Sequence, residues 1–322
     1  MLSKDKLVNK YLDIKVGNLT KGNNIVFCSD LKYSRYVGVA IFSILENNQD
    51  DYYCFHVFIT DITQKDIDKL KQLPFQNCNI RLYWLNDDAV RDFQIKEHFS
   101  SAMYYRVLIP YILYDEIDNF LYLDSDVLCV GNIKELFFHN LSDKVVGVVP
   151  DTVESDHIKN LYDLGFTKEG IYFNSGVMLI NTRKWIEYNV TEDFFKLINQ
   201  RDYIYPDQDV LNILLNKHIL IISEKYNYQR WIKVSRSEFY KEANSVKIIH
   251  FIGPFKPWQI AGYNKIYNRY YKNSPWKKEK LEYTSSTLGL KKASKYLWQD
   301  GNIVKSIYYH IKYLVRKLKG IK

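Results

Sequence analysis

Two aspartates one residue apart, Asp124 and Asp126, close the apolar run Phe120–Leu123 in the segment FLYLDSDVL. In an open α/β sheet, ligands gather beyond the carboxyl ends of the strands, so this pair stands where a ligand would. Two carboxylates this close, without a basic neighbour in sequence, repel each other unless a cation lies between them. Hard divalent ions such as Mg²⁺ and Mn²⁺ take oxygen ligands and can hold a diphosphate as well. A solvated strand-to-turn junction is the competing reading, because aspartate is common in turns.

Three further groups could share that chemistry. His250 ends the run KIIH and precedes FIGPFKPW. A lone histidine among apolar residues is commonly structural, but a Gly253–Pro254 turn and Lys256 follow at once. An imidazole, a flexible backbone and an ammonium in one loop could clamp a diphosphate. A metal held by Asp124, Asp126 and His250 would suit Mn²⁺, which accepts mixed oxygen and nitrogen ligands. In YPDQDVLN, Asp207, Gln208 and Asp209 follow Pro206. Acids in a first helical turn face the positive end of the macrodipole, which explains the acids but not the amide. In YFNSGVMLIN, Asn174, Ser175 and Gly176 either offer donors ahead of a strand or form a plain turn.

The elements that must position these residues alternate. Asn24–Ser29 reads as a short buried strand, and Val37, Ala40, Ile41, Ile44 and Leu45 form a helical stripe. Tyr53–Ile59 is a second strand, Thr63–Leu73 an amphipathic helix closed by Pro74, and Asn79–Leu85 a third strand. This order predicts a parallel sheet built from right-handed crossovers. It continues through strands at Asn119–Asp124, Lys144–Val149 and Gly176–Ile180, a helix at Asp207–Asn216, and a late strand at Lys247–Phe251. No GxGxxG follows the first strand and no GxxxxGK[ST] occurs, so neither dinucleotide nor P-loop chemistry is indicated.

Composition narrows the classes. The 322 residues are 47% hydrophobic and 25% charged, enough apolar matter for a large core and against disorder. Cysteines 28, 54, 78 and 129 form no CxxC pair, which argues against zinc knuckles and redox dithiols. Buried thiols in a reducing compartment are expected. The N-terminus has no signal-peptide stretch, and no run of ~20 apolar residues could span a bilayer. The expected location is therefore cytoplasmic. The net charge of +8 is concentrated at the end: residues 272–322 carry 13 basic and 3 acidic side chains, so the remainder is slightly acidic and a nucleic-acid-binding core is not expected. The chain divides into a leader (1–23), a catalytic domain (24–271) and a basic C-terminal region (272–322).

In that last region Ile303, Ile307, Ile311, Leu314 and Leu318 fall on one helical arc of about 80°. Lys305, Lys312, Arg316 and Lys319 lie elsewhere on the wheel, interleaved with Tyr308, Tyr309 and Tyr313. Such a helix suits an anionic membrane surface, here the inner face of the membrane; packing on the catalytic domain is the alternative.

In order along the chain, FCSD followed by Tyr33, SAMYYRVLIP, LYLDSDVL, YFNSGVMLIN, PDQDVLN and HFIGPFKPW resemble the motifs of glycosyltransferase family 8. Within it they most resemble those of the bacterial lipopolysaccharide α-galactosyl- and α-glucosyltransferases. The resemblance spans Asn24 to Trp258. It implies an α/β fold of GT-A type, with a mixed, mostly parallel central sheet flanked by helices. It also implies retaining transfer of glucose or galactose from a UDP-sugar to lipopolysaccharide or another cell-surface glycan, with Mn²⁺ or Mg²⁺. Carried over by position, Asp124, Asp126 and His250 would ligate the metal. Cys28, Ser29, Asp30 and Tyr33 would line the uridine pocket, with the tyrosine on the base. Gly253 and Lys256 would hold the diphosphate, and Arg106, Asp124, Ser125, Asn174, Ser175, Asp207 and Gln208 the rest of the donor. Asp151 would face the acceptor. Gln208 would stabilise positive charge beneath the sugar ring, with Asp207 beside it and Asp209 the runner-up nucleophile. Cys28 and Ser29 depart from the small alanines common in the family, and Lys32 from the asparagine of some members, which bears on base specificity. The alternative is a UDP-sugar or glycan binder of the same fold that lacks turnover. Nucleotidyl transfer would also use paired carboxylates, but it leaves HFIGPFKPW unexplained.

Overall fold

The computed structural model of the chain describes residues 4–15, 22–86, 101–152, 161–166, 170–230 and 233–320. Parts of the leader (1–3 and 16–21) and the last two residues of the C-terminal region lie outside them. Ten strands are described: β1 Val8–Lys15, β2 Asn23–Ser29, β3 Tyr53–Ile59, β4 Cys78–Leu85, β5 Asn119–Leu123, β6 Val127–Cys129, β7 Val146–Pro150, β8 Phe173–Asn181, β9 Ile219–Ile221 and β10 Ile248–His250. Eight form one sheet in the order β1-β4-β3-β2-β5-β8-β7-β9, while β10 and β6 form a separate two-stranded ribbon.

The sheet is mixed. β4, β3, β2 and β5 run parallel to one another, whereas β8 is antiparallel to both β5 and β7. Alternation along the strands builds two cores, one on each face. Ile25, Phe27, Phe55, Val57, Leu121 and Leu123 enter one core with Val37, Ile41 and Leu45 of the helix Ser34–Asn47. Val26, Cys28, Phe58, Phe120 and Tyr122 enter the other with Tyr105, Val107 and Leu108 of the helix Ser101–Leu113. All four cysteines are buried and none is in a disulfide.

Two boundaries differ from the sequence reading. Residues 8–15 of the leader are not outside the sheet: β1 pairs antiparallel with β4 at its edge. Asn174, Ser175 and Gly176 are not a turn before a strand, because β8 already begins at Phe173.

The basic C-terminal region folds as a helical hairpin, Thr287–Gln299 and Ile303–Leu318. The second helix packs through Ser306, whose hydroxyl donates to the Ser294 carbonyl at 2.7 Å. Its apolar arc points to solvent instead: Ile307 is 50% exposed and Leu318 88%. Among the described residues, no helix is long and apolar enough to cross a membrane.

Candidate active site

The residues singled out in sequence meet where β2 and β5 end and β8 begins. Asp124 follows β5 directly, and its backbone N–H donates to the Gly176 carbonyl at 2.8 Å. Asp126 leads into β6, whose partner β10 sets His250 opposite Val127. Pairing of two three-residue strands is what joins segments so distant in sequence. The His250 Nε2 atom lies 3.1 Å from Asp126 Oδ1 and 3.9 Å from Asp124 Oδ2. One ligand atom from each of these three residues falls within 4.8 Å of the others. Gly176 makes the approach possible, since a Cβ there would run into the His250 ring and lie 2.7 Å from Asp124 Oδ2. Two carboxylates and an imidazole around such a cradle fit a divalent cation of the Mn²⁺ or Mg²⁺ kind.

Cations of the chain itself balance the acids. Lys256 Nζ donates to Asp126 Oδ2 at 2.6 Å and to the Phe251 carbonyl at 3.1 Å. Burial alone would push the Asp126 carboxyl up, but Lys256 and His250 outweigh it and hold the group below the usual carboxylate range. Gly253, in the loop that brings Lys256 back, has φ +94°, a conformation natural to glycine. Arg106, from the helix Ser101–Leu113, forks between Asp124 Oδ1 and Asp207 Oδ2, each at 3.0 Å. Burial pushes the Asp207 carboxyl up, against the pull of Arg106.

Two cavities share this centre. One, of about 250 Å³, is lined by Cys28, Ser29, Asp30, Tyr33 and Ser125, with Arg106, Asp124, Asp126 and Lys256. Its wall is uncharged at Cys28, because burial pushes that thiol up. Asp30 Oδ1 accepts from the Tyr33 N–H at 3.0 Å, and the Tyr33 ring stands edge-on to Trp258 at 5.7 Å. Lys32 holds its ammonium 5.5 Å from the same ring. The second cavity, of about 550 Å³, is lined by Arg106, Asp124, Asp126, Asp151, Asn174, Ser175, Asp207, Gln208, His250, Gly253 and Lys256.

Of the residues singled out, Asp209 is the one set apart. It is fully buried, with Oδ1 accepting from the Tyr172 hydroxyl at 2.6 Å and Oδ2 from the Tyr205 N–H at 3.0 Å. It does not line either cavity. The helix explains why: at ~100° per residue, position 209 faces almost opposite to 207. Sequence reasoning missed Asn227, which is buried against His250. It also missed Tyr205 and Lys233 at the rim of the larger cavity. Asn227 and Lys233 lie outside the motifs singled out in sequence, whereas Tyr205 opens YPDQDVLN.

The glycosyl transferase family 8 sequence model matches residues 24–261, and that of the family's C-terminal region matches residues 263–317. A lipopolysaccharide 1,2-glucosyltransferase of Escherichia coli K12 is 32% identical over 96% of this chain and 95% of its own. A lipopolysaccharide 1,3-galactosyltransferase of Salmonella typhimurium is 27% identical over 92% and 91%. Among solved structures, the galactosyltransferase LgtC in complex with donor and acceptor sugar analogues gives a TM-score of 0.63 at 25% identity, over 78% of this chain and 96% of LgtC. Another LgtC structure carries a glutamine-to-glutamate change described as an active-site mutation.

Proposed function

The chain belongs to glycosyl transferase family 8, and on that premise we propose that it moves glucose or galactose from a UDP-sugar to a cell-surface glycan. Lipopolysaccharide is the acceptor class favoured by the names of its relatives. What carries the reading is the convergence of Asp124, Asp126, His250 and Lys256 between two cavities, one sized for a nucleotide end and the other for sugars. When bound, a divalent cation held by Asp124, Asp126 and His250 would supply Lewis-acid neutralisation of the diphosphate.

The chain's own residues divide the remaining work. Cys28, Ser29, Asp30 and Tyr33 hold the nucleoside, while Lys256 and the Gly253 loop meet the diphosphate. Arg106, Ser125, Asn174, Ser175, Asp207 and Gln208 surround the hexose, and Asp151 faces the acceptor. Transfer proceeds with retention. Gln208 Oε1 already accepts from Asn174 Nδ2 at 3.0 Å and from the Ser175 N–H at 3.1 Å, so it is a weak nucleophile. Both oxygens of Asp209 are held by Tyr172 and Tyr205. These facts favour attack from the leaving-group side, with a phosphate oxygen taking the acceptor's proton and the Gln208 carbonyl facing the developing positive charge. A glutamine in the active site of LgtC accords with that role.

A UDP-release assay over a panel of UDP-sugars tests this. UDP-glucose or UDP-galactose with Mn²⁺ is expected to release UDP slowly even without acceptor, and EDTA to stop it. Tight UDP-sugar binding without release, with lipopolysaccharide core present, would overturn turnover in favour of a binder.

We further assign the enzyme to the cytoplasmic face of a membrane. The apolar arc of Ile303–Leu318 faces outward while Lys305, Lys312 and Lys319 lie on the opposite side of the helical wheel, the polar face of an amphipathic, surface-bound helix. Deleting residues 303–322 is expected to cut sedimentation with anionic vesicles at low salt by about tenfold or more. Equal sedimentation of the shortened chain would end this assignment.

A further inference from the structure

We infer that Asn227 is a positioning residue that fixes which nitrogen of His250 is offered to the metal site, through a hydrogen-bonded relay of one polarity reaching Asp151. This rests on the metal-holding reading above. The polarity follows from donors that cannot be reversed. The backbone N–H of Gly176 donates to Asn174 Oδ1 at 3.0 Å, and that of Ser175 donates to Gln208 Oε1 at 3.1 Å. A backbone amide only donates, so both acceptor atoms are oxygens. The amide nitrogens must then point as they do: Asn174 Nδ2 to Gln208 Oε1 at 3.0 Å, and Gln208 Nε2 to Asp151 Oδ2 at 2.6 Å. Asp151 ends the relay as a carboxylate that accepts.

The same logic runs the other way. Asn174 Oδ1 also takes Asn227 Nδ2 at 3.0 Å, which leaves Asn227 Oδ1 as the atom 3.0 Å from His250 Nδ1. An oxygen there requires an Nδ1–H that donates, which leaves Nε2 as the atom turned to Asp126 and Asp124, 3.1 and 3.9 Å away. A metal-bound histidine is oriented by the partner of its other nitrogen; here that partner is an amide whose own orientation is set three residues away. Asn227 is 2% exposed. Its backbone is tied independently, by its N–H to the Glu224 carbonyl at 3.1 Å and by the bridge of Tyr228 to Ile249, so its side chain can be removed without releasing the loop.

Mn²⁺ binding in the presence of UDP, read by electron paramagnetic resonance rather than by turnover, tests the assignment. Asn227→Ala is expected to weaken Mn²⁺ binding by about 10- to 100-fold, and Asn227→Asp, which keeps an acceptor for Nδ1–H, to recover most of it. UDP affinity without metal should be unchanged in both. An alanine variant that binds Mn²⁺ as the parent does would overturn the role. The tautomer is also readable in the unaltered protein at pH 8.5, from ¹H–¹⁵N correlations of labelled histidine assigned with His250→Gln. A proton on Nδ1 supports the relay and an Nδ1 without one overturns it, whether or not Asn227→Ala folds. Failure of the parent protein to bind Mn²⁺ would count against the metal reading alone, since the tautomer still decides the relay.

Discussion

Asp126→Ala is expected to lower kcat by about 10³-fold or more, the loss of roughly 4 kcal/mol of transition-state stabilisation. The side chain stands between His250 and Lys256, with Oδ1 3.1 Å from His250 Nε2 and Oδ2 2.6 Å from Lys256 Nζ. Truncation removes one proposed metal ligand and frees the ammonium proposed to meet the diphosphate, so two charge-stabilising contacts fail together. Steady-state kinetics with UDP-sugar and Mn²⁺, alongside direct Mn²⁺ binding, give the readout. Retained kcat with Mn²⁺ still bound would refute the role of Asp126 and, with it, the metal centre. The variant should remain folded, because the Asp126 side chain borders the two cavities and belongs to neither hydrophobic core.

Arg106→Ala carries the largest expected cost to stability. The guanidinium is buried between Asp124 and Asp207, and removing one partner of a buried ion pair typically costs about 3–5 kcal/mol. Chemical denaturation should show this as a lowered midpoint at unchanged slope. The pH dependence has a definite sign. Burial already pushes the Asp207 carboxyl up and Arg106 opposes it; without the arginine the folded-state pKa rises further above the unfolded value. The folded variant then binds more protons than the unfolded chain, so its stability falls as pH rises. The deficit relative to the parent should be smaller at pH 5 than at pH 8. A variant as stable as the parent at pH 8 would show that the ion pair is not what holds these carboxylates. Arg106→Lys should recover part of the loss, since it keeps the charge but cannot fork.

The sheet's centre was legible because its strands are short and almost wholly apolar. NIVFCS, YCFHVFI and NFLYL are buried on both faces in the fold, and each announces itself without a partner. β1 was not, since VNKYLDIK is an exposed edge strand whose polar residues resemble a loop until β4 is beside it. The FNSG segment reads as lying one step outside β8 because asparagine, serine and glycine signal turns, yet β8 begins at Phe173 and the Gly176 carbonyl accepts from the Asp124 N–H, while the register against β7 shifts here. Asp207 and Gln208 line one cavity with Asp124, and Asp209 joins them in the sequence reading only by adjacency. Helical geometry separates the three. Asn227 gave no signal at all: its importance arises only when β10 brings His250 against it.

The order in which these groups leave the ribosome has a consequence for partial products. Asp124 and Asp126 emerge long before His250 and Lys256, and β6 lacks its only ribbon partner until β10 is made. A chain that stops short of Gly253 contains every acid of the site but lacks Lys256, the ammonium paired with Asp126. The cluster of Asp124, Asp126 and His250 is therefore completed late in synthesis, when β10 closes against β6 and carries the histidine to the acids.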